Sequence, residues 1–313
     1  MWYGFKNNNM PDKPTLTPEE RRAKRAERRE KQRSANIGRA QKMHKARLEF
    51  EKQEISQTTI RNQPPQYNVG CSGWFYWHWR DIFYREDLAR NEWFSHYADN
   101  FKTVELNAPF YSWPTVATIK TWIKQAGRRR FVYTVKVCEL ITHVKKFKGT
   151  KQLNKDFGLI ADLLGSRMAC FLFQLPPSYH YTPGRLKDIL GQLDPRRRNV
   201  VEFRHKSWWN DNVYKSFRQT KTIFCSCSGP RLPNELIKTA DEIYIRFHGI
   251  KQWYRHNYTK EELDVWVQRI HKSKTKRVWA YFNNDREGFA IKNAKEFLRL
   301  LTSEDPFSAR TAI

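Results

Sequence analysis

Short stretches of alternating apolar and polar residues recur from Tyr67 onward, and helix-like stretches separate them. Alternation sends successive side chains to opposite faces of a strand. The pattern predicts strands at 67–71, 101–107, 131–137, 169–175, 199–204, 222–226, 242–248 and 277–283. It predicts helices near 91–99, 115–126, 151–165, 184–192, 211–219, 260–273 and 290–302.

Eight strand–helix units in about 240 residues have the size of a (β/α)8 barrel of the α/β class. The segment 228–240 leaves room for only a turn or two of helix, so we expect a TIM-barrel-like fold that is irregular around strands 6 and 7. A doubly wound open sheet fits the same alternation of elements.

Polar residues gather at the C-terminal ends of six of the predicted strands. Glu105 and Asn107 share one face of their strand, while Val104 and Leu106 share the other. Barrels build their sites where the C-terminal ends of parallel strands meet. The sequence therefore predicts a ring of polar residues at one mouth of the barrel, with two histidines on the loops that follow: Glu105, Asn107, Lys136, Gln174, Glu202, Arg204, Arg246, His248, Asn283 and Asp285, with His143 and His205.

Residues 1–66 differ in composition from the predicted barrel domain at 67–313, because they hold 16 Lys and Arg against 8 Asp and Glu. Thr17, Pro18 and Glu20 form a good helix start, with a capping box. No sustained apolar stripe follows, so we expect a solvated basic arm that is partly helical or disordered. It would act as a clamp on nucleic acid, as a targeting segment or as an inert tail.

The chain carries a formal net charge of +26, which favours polyanionic partners such as DNA, RNA or the ribosome. No apolar run approaches the length of a membrane span, and the N-terminus lacks the apolar core of a signal peptide. The five cysteines have neither disulfide-framework nor zinc-ribbon spacing, so we expect buried thiols in a cytoplasmic protein. The sequence sets no oligomeric state.

Seven motifs resemble the domain-of-unknown-function 72 family, also called YecE-like, in the expected order from about Tyr67 to Leu301. The resemblance implies a TIM-barrel-like fold and no established activity. Likeness of such barrels to apurinic endonucleases and sugar isomerases suggests nucleic-acid or sugar-phosphate chemistry by analogy. The basic arm departs from the family pattern. The motifs are GCSGW (70–74), VELNAPFY (104–111), KVCELITH (136–143), FQLPPSY (173–179), VEFRHKSWW (201–209), YIRFHG (244–249) and YFNNDREGFAIKNA (281–294).

Phosphate binding is the first interpretation of the predicted ring. Lys136, Arg204 and Arg246 are its cations, and arginine binds phosphate oxygens in pairs. Glu105 or Glu202 would serve as general base and His248 as acid, base or oxyanion donor. Asn107, His143, Gln174, Asn283 and Asp285 would complete the substrate contacts. The activity would be of hydrolase or lyase type on a phosphorylated or sugar substrate.

Other interpretations remain open. A divalent metal could use His143, His205, His248, Glu105, Glu202 and Asp285, but three cations in the same mouth argue against it, and we predict no cofactor. A glycosidase could use the paired Glu105 and Glu202 with Trp74, Trp77 and Trp208 against the sugar. Mutual ion pairing alone explains the balance of three carboxylates and three cations. A non-catalytic DNA-, RNA- or ribosome-binding protein is the non-enzyme alternative.

Overall fold

The computed structural model describes residues 16–53 and 64–303. The eight strands in these ranges are β1 (Tyr67–Cys71), β2 (Thr103–Leu106), β3 (Val132–Lys136), β4 (Met168–Gln174), β5 (Asn199–Glu202), β6 (Ile223–Ser228), β7 (Glu242–Phe247) and β8 (Arg277–Phe282). The α-helices are α1 (Pro18–Lys52), α2 (Trp93–Asn100), α3 (Ala108–Tyr111), α4 (Val116–Ala126), α5 (Lys151–Leu164), α6 (Pro183–Leu190), α7 (Asp211–Thr220), α8 (Lys260–Ser273) and α9 (Phe289–Ser303).

The strands form one parallel sheet in the order β1-β8-β7-β6-β5-β4-β3-β2, which curves into a nearly closed barrel. The predicted α/β TIM-barrel-like fold is confirmed. β1 and β2 make no strand ladder, and the Tyr97 hydroxyl bridges them by accepting from Cys71 N (2.8 Å) and donating to Thr103 O (3.1 Å). Gly70 permits this approach, since a Cβ there would lie 2.4 Å from Thr103 O.

The irregularity expected after β6 is present. Residues 229–241 contain no helix, and an extended segment runs beside β6 instead. The Thr239 hydroxyl accepts a hydrogen bond from Phe224 N (2.9 Å), and Ile237 N donates to the Ser226 hydroxyl (2.9 Å). Through these two hydrogen bonds the segment covers β6 in place of a helix, and the backbone N–H groups of Phe224 and Ile237 both have partners.

The interior of the barrel changes character along its axis. Apolar and sulfur-bearing side chains fill the lower part and close it to water. Charged and hydroxyl-bearing side chains take over toward the C-terminal mouth, where Glu105, Glu202 and Arg246 are buried. All five cysteines are free and buried, as the sequence predicts. The lower plug includes Val132, Cys170, Leu172, Val200, Ile223, Cys225, Tyr244, Trp279 and Tyr281.

Helix α1 begins with the predicted capping box, in which Glu20 N donates to the Thr17 hydroxyl (3.2 Å) and Thr17 N donates to the Glu20 carboxylate (2.7 Å). Its second half differs from the solvated arm that the pattern predicts, because Asn36, Ala40 and Met43 are buried against the barrel. The remainder of the predicted arm, residues 1–15 and 54–63, lies outside the described residues.

The buried face of α1 is held largely by polar contacts. The Asn36 amide donates to Tyr111 O (2.9 Å), and its oxygen accepts from Trp113 N (2.9 Å). Arg47 donates to the Asp156 carboxylate (2.8 Å), and both side chains are buried. A helix with no apolar stripe can therefore dock. None of the helices in the described ranges is long and apolar enough to cross a membrane.

Candidate functional site

Arg246, near the end of β7, forms the centre of the polar mouth. Its two terminal nitrogens each donate to a different carboxylate, Nη1 to Glu202 (2.5 Å) and Nη2 to Glu105 (2.6 Å). All three side chains are almost wholly inaccessible to solvent. The Tyr244 hydroxyl and the Ser72 hydroxyl also donate to Glu105, at 2.6 and 2.8 Å. This network forms the floor of the mouth.

Arg204 and His248 extend the floor toward solvent. Arg204 Nε donates to Glu202, and its Nη2 lies 3.1 Å from His248 Nε2. Burial and then the two nearby guanidinium groups hold the pKa of His248 well below its usual range, so the imidazole is neutral. His248 Nε2 also lies 3.3 Å from a Glu202 carboxylate oxygen, and Nδ1 lies 3.3 Å from the Asn283 amide nitrogen, which is a donor. The ring hydrogen therefore belongs on Nε2, where Glu202 accepts it, and Nδ1 accepts from Asn283.

The pKa of Glu202 reflects the same charges. Burial alone would raise this pKa, but Arg204 and Arg246 outweigh burial and hold it well below the usual range. Glu202 is therefore a carboxylate at neutral pH. Each oxygen of Glu105 and Glu202 faces at least one donor from the neighbouring side chains. The two carboxylates thus have little capacity left to accept a proton from a substrate.

Lys136, at the end of β3, is the exception among the mouth cations. Its ammonium lies 4.0 Å from the centre of the Phe110 ring and makes no hydrogen bond or ion pair with the described residues. Burial, followed by the charge of Arg246, lowers the pKa of Lys136 to about 7. Two guanidinium groups already balance the two floor carboxylates, so a protonated Lys136 has no counter-ion of its own.

His143 lies beside Lys136 in a π-helical turn, Leu140–Val144, that follows β3. Its ring packs against the same Phe110 ring at 4.9 Å, and its Nδ1 lies 3.0 Å from the Thr142 hydroxyl. Burial and then the charge of Lys136 lower the pKa of His143 to about 4, so it is neutral at physiological pH. Lys136, His143 and Arg204 therefore interact electrostatically at the mouth.

Several predicted ring members have other partners. The Asp285 carboxylate accepts from Trp79 Nε1 (2.6 Å) and pairs with His78 (3.0 Å), and burial raises its pKa to about 6. The Asn107 amide donates to Ser72 O (3.0 Å). The ring of His205 stacks on His180 at 3.9 Å. Gln174 is half-buried beside Glu202 in the β4–β5 register.

The sequence interpretation missed four residues that shape the site. Tyr244 shares the inward face of β7 with Arg246, and Ser72 follows β1 within the motif GCSGW, so both positions carried a signal. Phe110 comes from the short helix α3 and Trp253 from a loop, where no strand alternation places a side chain. Trp253 lies under the Arg204 guanidinium at 4.5 Å, which holds that cation at the rim.

One set of side chains has the donor types of a metal site. Among the described residues, Glu202, Cys227 and His248 place their ligand atoms within 4.8 Å of one another. Cys227 is a neighbour that the sequence-based ligand set omits. Arg204 and Arg246 already donate to this carboxylate, and a divalent cation would have to compete with both guanidinium groups. The donor set thus fits a metal poorly.

Comparison with known proteins confirms the resemblance seen in the motifs. The family model described as "Protein of unknown function DUF72" matches residues 68–312. The UPF0759 protein YunF of Bacillus subtilis (strain 168) is 25% identical over 275 residues, which cover 75% of this chain and 95% of YunF.

Solved structures agree with this match. A DUF72 family protein from Thermotoga maritima MSB8 has a TM-score of 0.68 at 26% identity, with 76% of this chain and 99% of that chain covered. A DUF72 family protein from Enterococcus faecalis V583 has a TM-score of 0.62 at 18% identity, with 75% and 95% covered, and it supports the fold alone. The chain belongs to the family of proteins of unknown function DUF72.

Proposed function

We propose that the mouth of the barrel binds the phosphate group of a substrate between Lys136 and Arg204. The observation that carries this proposal is the ammonium of Lys136, which is buried, faces the mouth and has no counter-ion among the described residues. A buried charge without a partner is costly, and an incoming anion removes that cost.

Arg204 supplies the second half of the anion site. Burial and the charge of Arg246 are the larger causes of the lowered pKa of Lys136, and the charge of Arg204 adds to them. Nε and Nη2 face Glu202 and His248, while Nη1 donates to no other described residue. A guanidinium with a free terminal nitrogen is suited to phosphate oxygens. Arg246 is committed to two carboxylates, so we assign it to positioning rather than to anion binding.

For the proposed reaction, Lys136 is the favoured proton carrier, while the neutral His248 serves to hydrogen-bond the substrate. A group with a pKa near 7 both holds and releases a proton at neutral pH, and Lys136 meets this condition. Glu202 would hold Arg204 and His248 in place instead of acting as the base. The paired-glutamate glycosidase is less favoured, because the four carboxylate oxygens already face donors. The substrate class is a sugar phosphate or nucleic acid.

The first test replaces Lys136 with methionine and measures binding of ribose 5-phosphate by calorimetry. We expect about a tenfold loss of affinity, because a charge-assisted contact is removed. Lys136 has no described partner, so the change leaves no buried carboxylate unpaired. Lys145→Met is the matched control, since Lys145 is exposed on the following loop and loses the same charge.

Equal affinity of wild type and Lys136→Met for ribose 5-phosphate would overturn the proposed anion site. Product formation, followed by mass spectrometry in the same samples and with a short oligonucleotide, separates an enzyme from a binding protein. An enzyme shows turnover that is lost in Lys136→Met, whereas a binding protein shows affinity and no product.

A further inference from the structure

We propose that the first four turns of α1 form a docking surface for the phosphate backbone of nucleic acid, continuous with the mouth of the barrel. The surface is an arginine stripe, defined by Arg22, Arg25 and Arg29. This inference rests on the proposed function for the mouth, while the position of α1 rests on its own contacts with the barrel.

The arginine stripe continues the face by which α1 docks. Residues three and four apart lie on the same side of a helix. The buried positions Asn36, Ala40, Met43 and Arg47 follow this spacing. The same spacing, extended toward the N-terminus, passes through Arg33, Arg29, Arg25 and Arg22. The face that lies on the barrel in the second half of α1 therefore becomes a row of arginines in the first half.

The docked half of α1 lies on the loops at the C-terminal end of the barrel. Arg39 donates to the Ser112 hydroxyl (2.7 Å) on the loop after β2. Arg29 and Arg33 pair with Glu139, just after β3, at 2.9 and 3.4 Å. The side chain of Glu139 is buried, so these two arginines mark the last point at which α1 touches the barrel. The first turns extend beyond it.

The free turns of α1, residues 17–31, carry their basic and acidic residues on different sides of the helix. Residues 17–31 are exposed throughout. At 3.6 residues per turn, the seven basic residues cover about half of the circumference and the four glutamates lie within the other half. Arg22, Arg25 and Arg29 lie on the docking face, and the other basic residues extend to one side of it. Between Pro18 and Glu27, these basic side chains pair with no acidic residue of the described barrel. The basic residues are Arg21, Arg22, Lys24, Arg25, Arg28, Arg29 and Lys31.

Charges of the arginine stripe and of the mouth act on the same residue, His143. The pKa of His143 is lowered by burial first and then by Lys136, and Arg29 and Arg204 add to this lowering. The same segment carries Glu139, the ion-pair partner of Arg29 at 2.9 Å, shortly after Lys136 in the chain, so it leads from the mouth to α1. The loop between them carries further exposed cations, Lys145 and Lys148. An anionic chain held at the mouth meets the arginine stripe when it continues across this loop.

Nucleic acid is the occupant that matches this charge pattern. A helix of 14 residues spans about 21 Å, and each strand of duplex DNA carries a phosphate about every 3.4 Å, so the stripe can face several phosphates in a row. Arginine forms bidentate contacts with phosphate. The net charge of +26 favours the same partner. Single-stranded RNA and DNA share this chemistry, and the experiment separates them.

The test neutralises the free turns in the full chain by changing Arg21, Arg22, Lys24, Arg25 and Arg28 to glutamine. These side chains make no contact with the barrel, so the fold is preserved. The matched control changes five exposed basic residues at the other end of the barrel or on its outer helices to glutamine and removes the same charge: Arg128, Arg130, Arg218, Lys221 and Lys274.

Fluorescence anisotropy measures the binding of labelled 20-nucleotide RNA and DNA strands at several salt concentrations. We expect the arm variant to bind at least tenfold more weakly and to lose about 0.7 units of salt slope for each phosphate contact removed. The control variant should keep most of its affinity. The RNA and DNA probes, measured in parallel, show which backbone is preferred.

The outcomes separate this inference from the proposed function. If the arm variant and the control bind the strands equally well, the docking surface is wrong, while ribose 5-phosphate binding still tests the mouth. If Lys136→Met leaves ribose 5-phosphate binding unchanged but the arm variant loses strand binding, the mouth assignment fails and the arm stands. Absence of strand binding by the wild type at low salt overturns the docking surface and favours an acidic protein as partner.

Discussion

Replacing Arg246 with methionine is expected to lower the free energy of unfolding by about 3–5 kcal/mol at neutral pH, because it leaves the buried Glu105 without a cation and leaves Glu202 with Arg204 alone. Arg246 donates to both Glu105 and Glu202, and neither side chain reaches solvent. Urea unfolding followed by circular dichroism measures the change. The exposed pair of Arg299 and Glu296 is the control, and Arg299→Met should cost less than about 1 kcal/mol.

The loss of stability caused by Arg246→Met should depend on pH. In the wild type, the pKa of Glu202 lies well below 4.5, so its contribution is present above about pH 4.5 and is lost as the pH falls through the lowered value. In Arg246→Met, protonation of the buried carboxylate that has lost its cation relieves the uncompensated charge, so the destabilisation is largest at neutral pH and shrinks as the pH falls. The difference between the two proteins should narrow in acid.

A second substitution checks the cause. Adding Glu105→Gln to Arg246→Met removes the carboxylate that has lost its ion-pair partner and should recover a large part of the lost stability, while Glu202 keeps Arg204. If Arg246→Met unfolds at the same denaturant concentration as wild type, the central ion network does not hold the mouth together.

The affinity of the mouth for inorganic sulfate is expected to fall by about tenfold or more as the pH rises from about 6 to about 8.5, because Lys136 loses its proton. Burial and Arg246 lower the pKa of Lys136 to about 7, so its charge is present below that pH and absent above it. Sulfate keeps its charge over this range, so the ligand does not titrate. Calorimetry at several pH values measures the profile.

Lys136→Arg provides the control for this profile. Arginine stays charged across the range, so the variant should bind sulfate with an affinity that changes little with pH. A wild-type profile as flat as that of Lys136→Arg, or one that falls only near pH 10, would show that Lys136 keeps an ordinary pKa or does not contact the anion.

Alternation along the strands predicted most of the barrel and the location of the mouth. Every predicted strand is present, because a parallel strand needs an apolar outer face for its covering helix and this signal is local. The same alternation placed Glu105, Glu202 and Arg246 on the inward face. It could not show that one guanidinium bridges the two carboxylates, since these contacts join residues 141 and 44 positions apart.

Residues beyond the last strand position were predicted less well. β8 ends at Phe282, so alternation does not carry to Asp285, which turns instead to His78 and Trp79. Asn107 follows β2 with helical backbone angles, φ −88° and ψ −22°, and its amide binds Ser72 O. Alternation is a property of extended backbone, and it ends where the strand ends.

No local sequence pattern indicated that α1 docks on the barrel. Its buried face is polar, and the partners that satisfy Asn36 and Arg47 come from distant loops and from α5. A search for an apolar stripe therefore predicts a solvated helix. Side chains outside the strands, such as Phe110 in α3 and Trp253 in a loop, escape prediction for the same reason, since their positions depend on contacts and not on periodicity.

A crystal structure with ribose 5-phosphate at about pH 6 would show whether Lys136 and Arg204 bind an anionic group at the mouth. We predict phosphate oxygens within about 3.2 Å of Lys136 Nζ and Arg204 Nη1. A structure in which the phosphate lies elsewhere, with Lys136 still facing only Phe110, would contradict this prediction.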